Sequence, residues 1–252
     1  MLEISRLSKF FGGLHAVSGV DLTMKQGEIL GLIGPNGAGK TTFFNLVSGF
    51  LRPTSGRVTF EGHDITAKSP HFIAKKGIVR TFQGNNIYPD FTVLQNVVLS
   101  CHLKPGVGLL ETVLHTRGSR RKEEDILRRS RIILDTVGLQ NLADVPARNL
   151  AHGHKRTLGI AIALAAEPKL LLLDEPLGGM NGEEVSETMK LIRRLWEDGI
   201  SVLLIEHNMR ATMRLCRRIV VLNFGRMIAE GTPDEVQENP NVIQAYLGAR
   251  HA

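Results

Sequence analysis

Cysteines, aromatic residues and long apolar runs are all scarce in this chain of 252 residues. The two cysteines, Cys101 and Cys216, form no C-x-x-C pair, which predicts ordinary thiols in a reducing compartment rather than a disulfide framework. The longest apolar tracts, 158–166 and 170–173, are split by a Glu-Pro-Lys segment. Neither has the roughly 20 residues that cross a bilayer. The N-terminus carries charges where a targeting segment would be apolar. If the protein works at a membrane, we expect a peripheral subunit.

The positive charge is moderate and dispersed. The formal net charge is +6, the arginines are spread in pairs and triplets, and aromatic residues make up 5% of the chain. Nucleic-acid-binding proteins concentrate basic residues on one face, so we expect no nucleic-acid partner. An anionic nucleotide or a membrane surface accounts for the charge equally well.

One glycine-rich stretch fits the phosphate-binding pattern G-x-x-x-x-G-K-[ST] without a mismatch. A buried strand is predicted before it at 29–33, and a helix after it at 42–49. Glycines let the backbone N–H groups point at phosphate oxygens, beside a helix N-terminus that favours anions. Lys40 would reach the β- and γ-phosphates, and the Thr41 hydroxyl would help to hold Mg²⁺. The predicted nucleotide-binding loop consists of Gly34, Pro35, Asn36, Gly37, Ala38, Gly39, Lys40, Thr41 and Thr42.

Two adjacent carboxylates follow the apolar run 170–173. Residues beyond the carboxyl ends of parallel strands line the ligand crevice of such sheets. We expect Asp174 to orient the water ligands of Mg²⁺ and Glu175 to polarise an attacking water. The plainer alternative is a strand that ends in solvated acids. The phosphate loop upstream favours the catalytic interpretation.

Two other predicted strands also end in polar residues. His207 follows the strand 201–205, where it could donate a hydrogen bond to the γ-phosphate. Gln83 ends the predicted strand 78–83, where its amide oxygen could ligate Mg²⁺. Taken alone, each would be an ordinary polar residue. Together with the loop and the acidic pair, both are candidate catalytic residues.

Repeated alternation of strand and helix patterns predicts an α/β protein with a P-loop NTPase core, a mainly parallel sheet covered by helices on both faces. Alternating residues at 2–7 and 17–24 predict an antiparallel β flap before the phosphate loop. Residues 85–165 show helical patterns alone, which predicts an inserted helical subdomain. The nucleotide-binding core would then comprise 1–84 and 166–250, within a single domain.

Three local signals refine this outline. Asn181 and Glu184 have the spacing of a capping box at the start of a helix. The turn 223–225 between two apolar runs predicts a hairpin. The stretch 105–122 is glycine-rich and then basic, which predicts a solvated insertion.

The order of these motifs resembles the ATP-binding subunit of ABC transporters over nearly the whole chain. The resemblance adds a Leu-Ala-x-Gly signature segment at 150–153 to the motifs above. It implies the ABC ATPase fold, with ATP and Mg²⁺ as cofactors, in an ATPase that closes as a head-to-tail dimer. Each ATP would lie between the phosphate loop of one subunit and the signature segment of the other. Phe11 matches the adenine-stacking aromatic of the family, and the signature residues at the nucleotide would be Ala151, His152 and Gly153.

Finer matches resemble the branched-chain amino acid importers within this family. They lie at 11–14, 80–83, 206–209 and 245–248. In that branch two different ATPase subunits pair beneath two membrane permease subunits, and a periplasmic or extracellular binding protein delivers the amino acid. The resemblance implies a peripheral position on the cytoplasmic face of the plasma (inner) membrane. It leaves a homodimer open, and it implies that residues 84–100 dock the membrane subunits.

The signature segment departs from the family. Most members have Leu-Ser-Gly-Gly-Gln, whereas this chain has Leu150-Ala151-His152-Gly153-His154. Alanine at the second position is common in the branch, but the two histidines are less usual. We hypothesise that ATP turnover varies with pH through His152 or His154. The alternative is that both side chains face solvent without a role.

Three other functions fit parts of the pattern. A lipid- or lipopolysaccharide-extracting ABC subunit shares the segment 205–208, although the Phe-Gly-Gly turn and the Leu-Ala-x-Gly signature argue against it. A soluble ABC ATPase of DNA repair or ribosomes would usually carry two cassettes or long insertions. A phosphate-loop kinase would lack the signature segment and the adjacent acidic pair.

Overall fold

Two sheets and nine α-helices occur in the computed structural model, which describes residues 1–81, 87–102 and 117–248. The strands are β1 (Leu2–Phe11), β2 (Leu14–Met24), β3 (Ile29–Ile33), β4 (Ser55–Phe60), β5 (His63–Asp64), β6 (Ile78–Arg80), β7 (Leu170–Asp174), β8 (Ser201–Ile205), β9 (Arg218–Asn223) and β10 (Arg226–Gly231). The helices are α1 (Lys40–Val47), α2 (Pro70–Lys76), α3 (Val93–His102), α4 (Arg117–Thr136), α5 (His152–Leu164), α6 (Gly182–Glu197), α7 (Met209–Leu215), α8 (Pro233–Glu238) and α9 (Pro240–Gly248).

The smaller sheet is antiparallel, with the strand order β2-β1-β4-β5. The predicted antiparallel flap is therefore confirmed. Its first two strands are longer than predicted, because pairing continues to Phe11 opposite Leu14, beyond the point where apolar and polar residues alternate. Backbone hydrogen bonds hold this exposed end of the hairpin, and they leave no periodic signal in the sequence.

The larger sheet has the order β10-β9-β3-β8-β7-β6, and only β9 and β10 pair antiparallel within it. Every residue of β3, β7 and β8 is buried. Continuous apolar runs of this kind are typical of parallel strands covered on both faces. The mainly parallel sheet predicted from the sequence is confirmed, and the carboxyl ends of β3, β8 and β7 lie side by side.

Two local predictions are also confirmed. The Asn181 side chain accepts hydrogen bonds from the N–H groups of Glu183 and Glu184, and the Glu184 carboxylate accepts one from the Asn181 N–H, so a complete capping box begins α6. β9 and β10 are joined through Phe224 and Gly225, which have φ angles of 45° and 74°. Positive φ at both central residues is typical of a two-residue hairpin.

Helices α3, α4 and α5 pack on one another, and their buried side chains belong to the same apolar cluster as one face of β7 and β8, which carries Leu171, Leu173, Val202 and Leu204. A boundary of the helical subdomain at 85–165 stays a prediction. Residues 117–122, the last part of the predicted insertion at 105–122, form the start of α4. Arginine and lysine are good helix formers, so a basic stretch can be helical. Residues 103–116 lie outside the described part of the chain.

The strand β6 ends at Arg80, earlier than predicted, and Gln83 lies outside the described residues. Both cysteines are buried free thiols. Within the described ranges, none of the helices combines the length and the apolar character needed to cross a membrane.

Candidate functional site

Three neighbouring parallel strands carry the candidate residues to one edge of the larger sheet. Leu32 of β3 and Asp174 of β7 both lie beside Ile205 of β8. The chain leaves β3 into the phosphate loop, β7 into the acidic pair, and β8 into Glu206 and His207. Parallel packing thus brings the phosphate loop together with two motifs that lie more than a hundred residues after it in the sequence.

The phosphate loop depends on glycine at three positions. Gly34, Gly37 and Gly39 have φ angles of 152°, 76° and 100°. A Cβ at Gly34 would lie 2.1 Å from the Leu222 carbonyl oxygen, and one at Gly39 would lie 2.2 Å from that of Ala16. The space around Gly37 is open, with nothing within 4 Å of an added Cβ. Gly34 and Gly39 therefore permit close packing against carbonyl oxygens, and Gly37 leaves open space beside the loop.

Helix α1 begins at Lys40, two residues earlier than predicted, so the last three residues of the predicted loop form its first turn. No side chain of Gly39 caps it, so the first N–H groups of the helix are left for an external acceptor. The positive end of the helix dipole adds to their attraction for an anion. The loop and the helix start together fit a phosphate group.

Lys40 is buried at the base of the loop. Its ammonium donates hydrogen bonds to the carbonyl oxygens of Gly34 at 2.8 Å and Pro35 at 2.9 Å. Burial lowers the pKa of Lys40, while the carboxylates of Glu175 and Asp174 act in the opposite direction. The cation thus lies within the field of the acidic pair, and a bound phosphate would compensate for its burial.

Asp174 is buried and paired with a residue that was not predicted as a site residue. Arg80 Nη2 lies 2.7 Å from Asp174 Oδ2, and both side chains are more than nine-tenths buried. Arg80 also donates a hydrogen bond to Asn45 of α1 at 2.5 Å. Arg80 therefore links the acidic strand to the helix that follows the phosphate loop. The sequence feature that could have indicated Arg80 was its position at the end of a short apolar strand.

Glu175 has a left-handed backbone, with φ of 49°. Such a conformation costs energy in a residue with a Cβ and occurs often at functional sites. Its N–H donates to the Ile205 carbonyl at 2.9 Å, and its carbonyl oxygen accepts from Arg156 of α5 at 2.9 Å. These contacts hold the backbone in place. The carboxylate Oε1 contacts Nε2 of His207, so the predicted base and the predicted γ-phosphate donor are paired.

Glu206 is a second residue that the sequence analysis missed. Its buried carboxylate accepts hydrogen bonds from the backbone N–H groups of Leu177 at 2.7 Å, His207 at 3.1 Å and Asn208 at 3.3 Å. Burial raises the pKa of Glu206, and these hydrogen bonds oppose the shift. Glu206 thus joins the loop after β7 to the loop after β8. The sequence feature that could have indicated Glu206 was an acidic residue directly after a buried strand.

The signature segment forms the start of α5. Ala151 provides no side-chain cap, so the N–H groups of the first turn are left for another acceptor. A Cβ at Gly153 would lie 2.4 Å from the Glu184 carboxylate, which shows how closely α5 approaches α6. His152 is exposed, yet its Nε2 lies 3.2 Å from the Gly178 carbonyl oxygen. Of the two unusual histidines, His152 therefore contacts the loop after Glu175, and His154 is exposed.

The residues present fit a nucleotide with Mg²⁺. Asp174 and the exposed Thr41 supply hard oxygen donors near the loop, and the described residues contain no cluster of three or more His, Cys, Asp or Glu suited to a metal. Mg²⁺ at nucleotide sites commonly takes one or two carboxylates together with substrate phosphates, so a larger cluster is not needed. Phe11, at the end of β1, is 47% exposed and offers a ring face for stacking. The roles of Gln83, Phe11 and the other site residues stay predictions.

A phosphate loop after a central parallel strand, flanked by an acidic pair and a histidine, defines a nucleotide-hydrolysing P-loop protein. The chain belongs to the ABC transporter family, whose model, described as "ABC transporter", matches residues 17–178. A second model, described as "Branched-chain amino acid ATP-binding cassette transporter", matches residues 226–252. The chain is thus an ATPase subunit of the ABC class, which couples ATP hydrolysis to transport.

Similar proteins span nearly the full length of the chain. It is 40% identical to the high-affinity branched-chain amino acid transport ATP-binding proteins BraF of Pseudomonas aeruginosa and LivG of Escherichia coli strain K12, over 98% of each chain. It is 35% identical to the lipopolysaccharide export ATP-binding protein LptB of Haemophilus influenzae, over 98% of this chain and 97% of LptB. A solved ATP-binding cassette of an ABC transporter in its ADP conformation, MJ1267, has a TM-score of 0.87 and 32% identity over 98% of both chains.

Proposed function

We propose that this chain is the ATP-binding and ATP-hydrolysing subunit of an importer for branched-chain or other hydrophobic amino acids. The observation that carries the proposal is the Glu175–His207 pair beside Lys40, in a chain 40% identical to BraF and LivG over 98% of its length. The match of residues 226–252 to the branched-chain amino acid model supports the same branch.

Hydrolysis is assigned to residues of this chain. Lys40 and the first N–H groups of α1 bind the phosphates of ATP, and Phe11 stacks on the adenine. Glu175 accepts a proton from water as the water oxygen attacks the γ-phosphorus and the bond to the ADP oxygen breaks. His207 donates a hydrogen bond to the γ-phosphate. Thr41, Gln83 and Asp174 would hold Mg²⁺, which supplies charge neutralisation of the phosphates when bound.

The start of α5 supports the pairing of this chain with a second ATPase subunit. Its uncapped N–H groups suit a phosphate, and we assign them to the ATP on a second ATPase subunit in a head-to-tail pair. The preferred pair is a heterodimer, beneath two membrane permease subunits that receive an amino acid from a periplasmic or extracellular binding protein. Residues 84–100 are the proposed docking surface, of which 84–86 lie outside the described residues. In this proposal the chain is a peripheral subunit on the cytoplasmic face of the plasma (inner) membrane.

Uptake in cells tests this function. A strain that lacks the gene should lose most of its energy-dependent uptake of radiolabelled leucine, isoleucine and valine. The wild-type gene should restore uptake, whereas the Glu175→Gln variant should not, because hydrolysis is blocked after ATP binding. Undiminished uptake in the deletion strain would overturn the assignment.

The second candidate is lipid or lipopolysaccharide extraction, which the 35% identity to LptB supports. The same deletion strain separates the two candidates. Intact amino acid uptake combined with loss of lipopolysaccharide from the outer surface would favour extraction.

A further inference from the structure

Helix α5 holds the loop that follows Glu175 at two points. Arg156 donates a hydrogen bond from Nη1 to the Glu175 carbonyl oxygen at 2.9 Å. One turn earlier on the helix, Nε2 of His152 lies 3.2 Å from the Gly178 carbonyl oxygen. A Cβ added at Gly178 would lie 3.4 Å from Nη2 of Arg156. The guanidinium of Arg156 thus lies directly against this loop.

The backbone of Glu175 needs such support. Its φ angle of 49° lies in the left-handed region, where a residue with a Cβ persists only if the surrounding contacts hold it there. The N–H of Glu175 donates to the Ile205 carbonyl oxygen at 2.9 Å. Its carbonyl oxygen accepts from Arg156 and, at 3.2 Å, from the N–H of Gly178. Of these three hydrogen bonds, the one from Arg156 is made by a side chain and is removed by a substitution.

The carboxylate of Glu175 depends on this backbone for its position. It contacts Nε2 of His207 and is assigned to accept the proton of the attacking water. A misplacement of about 1 Å at a reacting group can slow a reaction about a hundredfold. A change in the Glu175 backbone would move the carboxylate away from the water. The groups assigned to bind the phosphates, Lys40 and the first turn of α1, would stay in place.

We propose that Arg156 is a positioning residue for ATP hydrolysis, which fixes the backbone of Glu175 from the helix that carries the signature segment. This inference rests on the proposed ATPase function. Arg156 acts through the Glu175 carbonyl oxygen and takes no part in proton transfer. The start of α5 is assigned to the ATP of the partner subunit. Arg156 therefore makes the hydrolysis of one ATP depend on the helix that contacts the other.

The Arg156→Met variant removes the guanidinium and keeps an unbranched side chain. Turnover at saturating ATP should fall about five- to tenfold, the effect of losing one hydrogen bond to the backbone of the base. ATP affinity should change less than about twofold, because Lys40 remains. Phosphate release and ATP titration of the assembled pair measure the two quantities. The matched control is Lys155→Met, which loses the same charge and one hydrogen bond to the Arg148 carbonyl oxygen. It should keep both wild-type values.

A double-mutant cycle tests whether Arg156 acts through Glu175. In the Glu175→Gln background the base is absent, so Arg156→Met should change the remaining turnover less than about twofold. That turnover includes hydrolysis of the ATP on the partner subunit, which the start of α5 contacts in the proposed pair. General damage to α5 would lower it, whereas loss of positioning would not.

Hydrogen exchange gives a readout that does not depend on activity. In Arg156→Met, backbone exchange should accelerate at residues 175–178, while β7 and the rest of α5 keep their protection. Arg156→Lys keeps the charge and one donor, so it should show smaller changes in turnover and exchange in the same direction. This second variant keeps the inference testable if Arg156→Met does not fold.

Three results would overturn the inference. Unchanged turnover in Arg156→Met, with an active wild-type pair, would contradict the role of Arg156 and leave the ATPase assignment intact. A loss of ATP affinity as large as the loss of turnover would place the effect on binding. Multiplied losses in the double variant would show that Arg156 acts on a group other than Glu175. A wild-type pair that does not hydrolyse ATP would overturn both the inference and the proposed function.

Discussion

The charged side chains of this site are paired with one another or with backbone carbonyl oxygens. Lys40 donates to two carbonyl oxygens of its own loop, Asp174 pairs with Arg80, and Glu175 contacts His207. Each of these side chains has a different partner in the proposed reaction: the phosphates, Mg²⁺ and the attacking water. We expect nucleotide binding to replace these contacts with contacts to the phosphates, Mg²⁺ and water, because a buried charge needs a partner.

Glu175→Gln should keep ATP binding and lower hydrolysis by about 10²- to 10⁴-fold, because an amide cannot accept the proton from water. Steady-state phosphate release measures turnover, and ATP titration measures binding. The matched control is Glu187→Gln, an exposed acid paired with Lys190 on α6. Near-normal turnover in Glu175→Gln would show that another group is the base.

Lys40→Ala should abolish ATP binding, since it removes the buried ammonium that compensates phosphate charge. Wild-type protein should show a rise in melting temperature on addition of ATP and Mg²⁺, and the variant should show none. Lys190→Ala, on the exposed face of α6, should keep the wild-type rise. Tight ATP binding by Lys40→Ala would contradict the assignment of the phosphate loop.

At the scale of secondary-structure elements, the loops after β7 and β8 are held by backbone and buried polar contacts. Glu206 joins Leu177 to His207 and Asn208, and α5 contacts the loop after Glu175 through Arg156 and His152. Arg156 and His152 lie one helical turn apart on α5. A movement of α5 would therefore shift the backbone of Glu175.

The raised pKa of Glu206 predicts a pH dependence of stability. A carboxyl whose pKa in the folded state lies above its ordinary value of 4.5 stabilises the fold below that value, and this contribution is lost as the pH rises through the raised pKa. The free energy of unfolding of wild type, relative to Glu206→Gln, should thus fall as the pH rises above about 4.5. Urea unfolding at a series of pH values measures this difference. A difference that stays constant or increases would contradict the assigned shift.

The histidines of the signature segment predict a pH dependence of turnover. His152 Nε2 lies 3.2 Å from the Gly178 carbonyl oxygen, so this ring contacts the loop after Glu175. Replacing His152 by Tyr and His154 by Gln should alter the ATPase profile between about pH 6 and pH 8. The measurement uses the assembled ATPase pair. Superimposable profiles of variant and wild type would eliminate the idea.

Elements with a strong local signal could be predicted from the sequence. The strand 201–205 has the predicted bounds, and the α6 capping box has the predicted partners. Burial on both faces of a strand and side-chain capping of a helix involve residues that are close in sequence, so both leave a local pattern. Arg80 and Glu206 could not be assigned in the same way. Their partners are distant in sequence and become neighbours only through the strand order. The family resemblance supplied the remaining expectations for the site.

At the scale of the whole molecule, two separate surfaces suit a nucleotide. One is the edge of the larger sheet with the phosphate loop, and the other is the uncapped start of α5. In the proposed head-to-tail pair, each subunit uses its loop for its own ATP and its α5 for the ATP of the partner. The contacts of α5 with the Glu175 backbone and with Gly178 then connect the two ATP sites of the pair.

The central claim is that this chain works as one of two ATPase subunits on a membrane transporter. Gentle extraction of membranes with the tagged full-length chain, followed by identification of the co-purified proteins, tests it most directly. The account predicts two different membrane-spanning subunits and a second ATPase of similar size. Recovery of the chain only from the soluble fraction, bound to nucleic acid or ribosomes, would contradict the importer function and leave the ATPase chemistry standing.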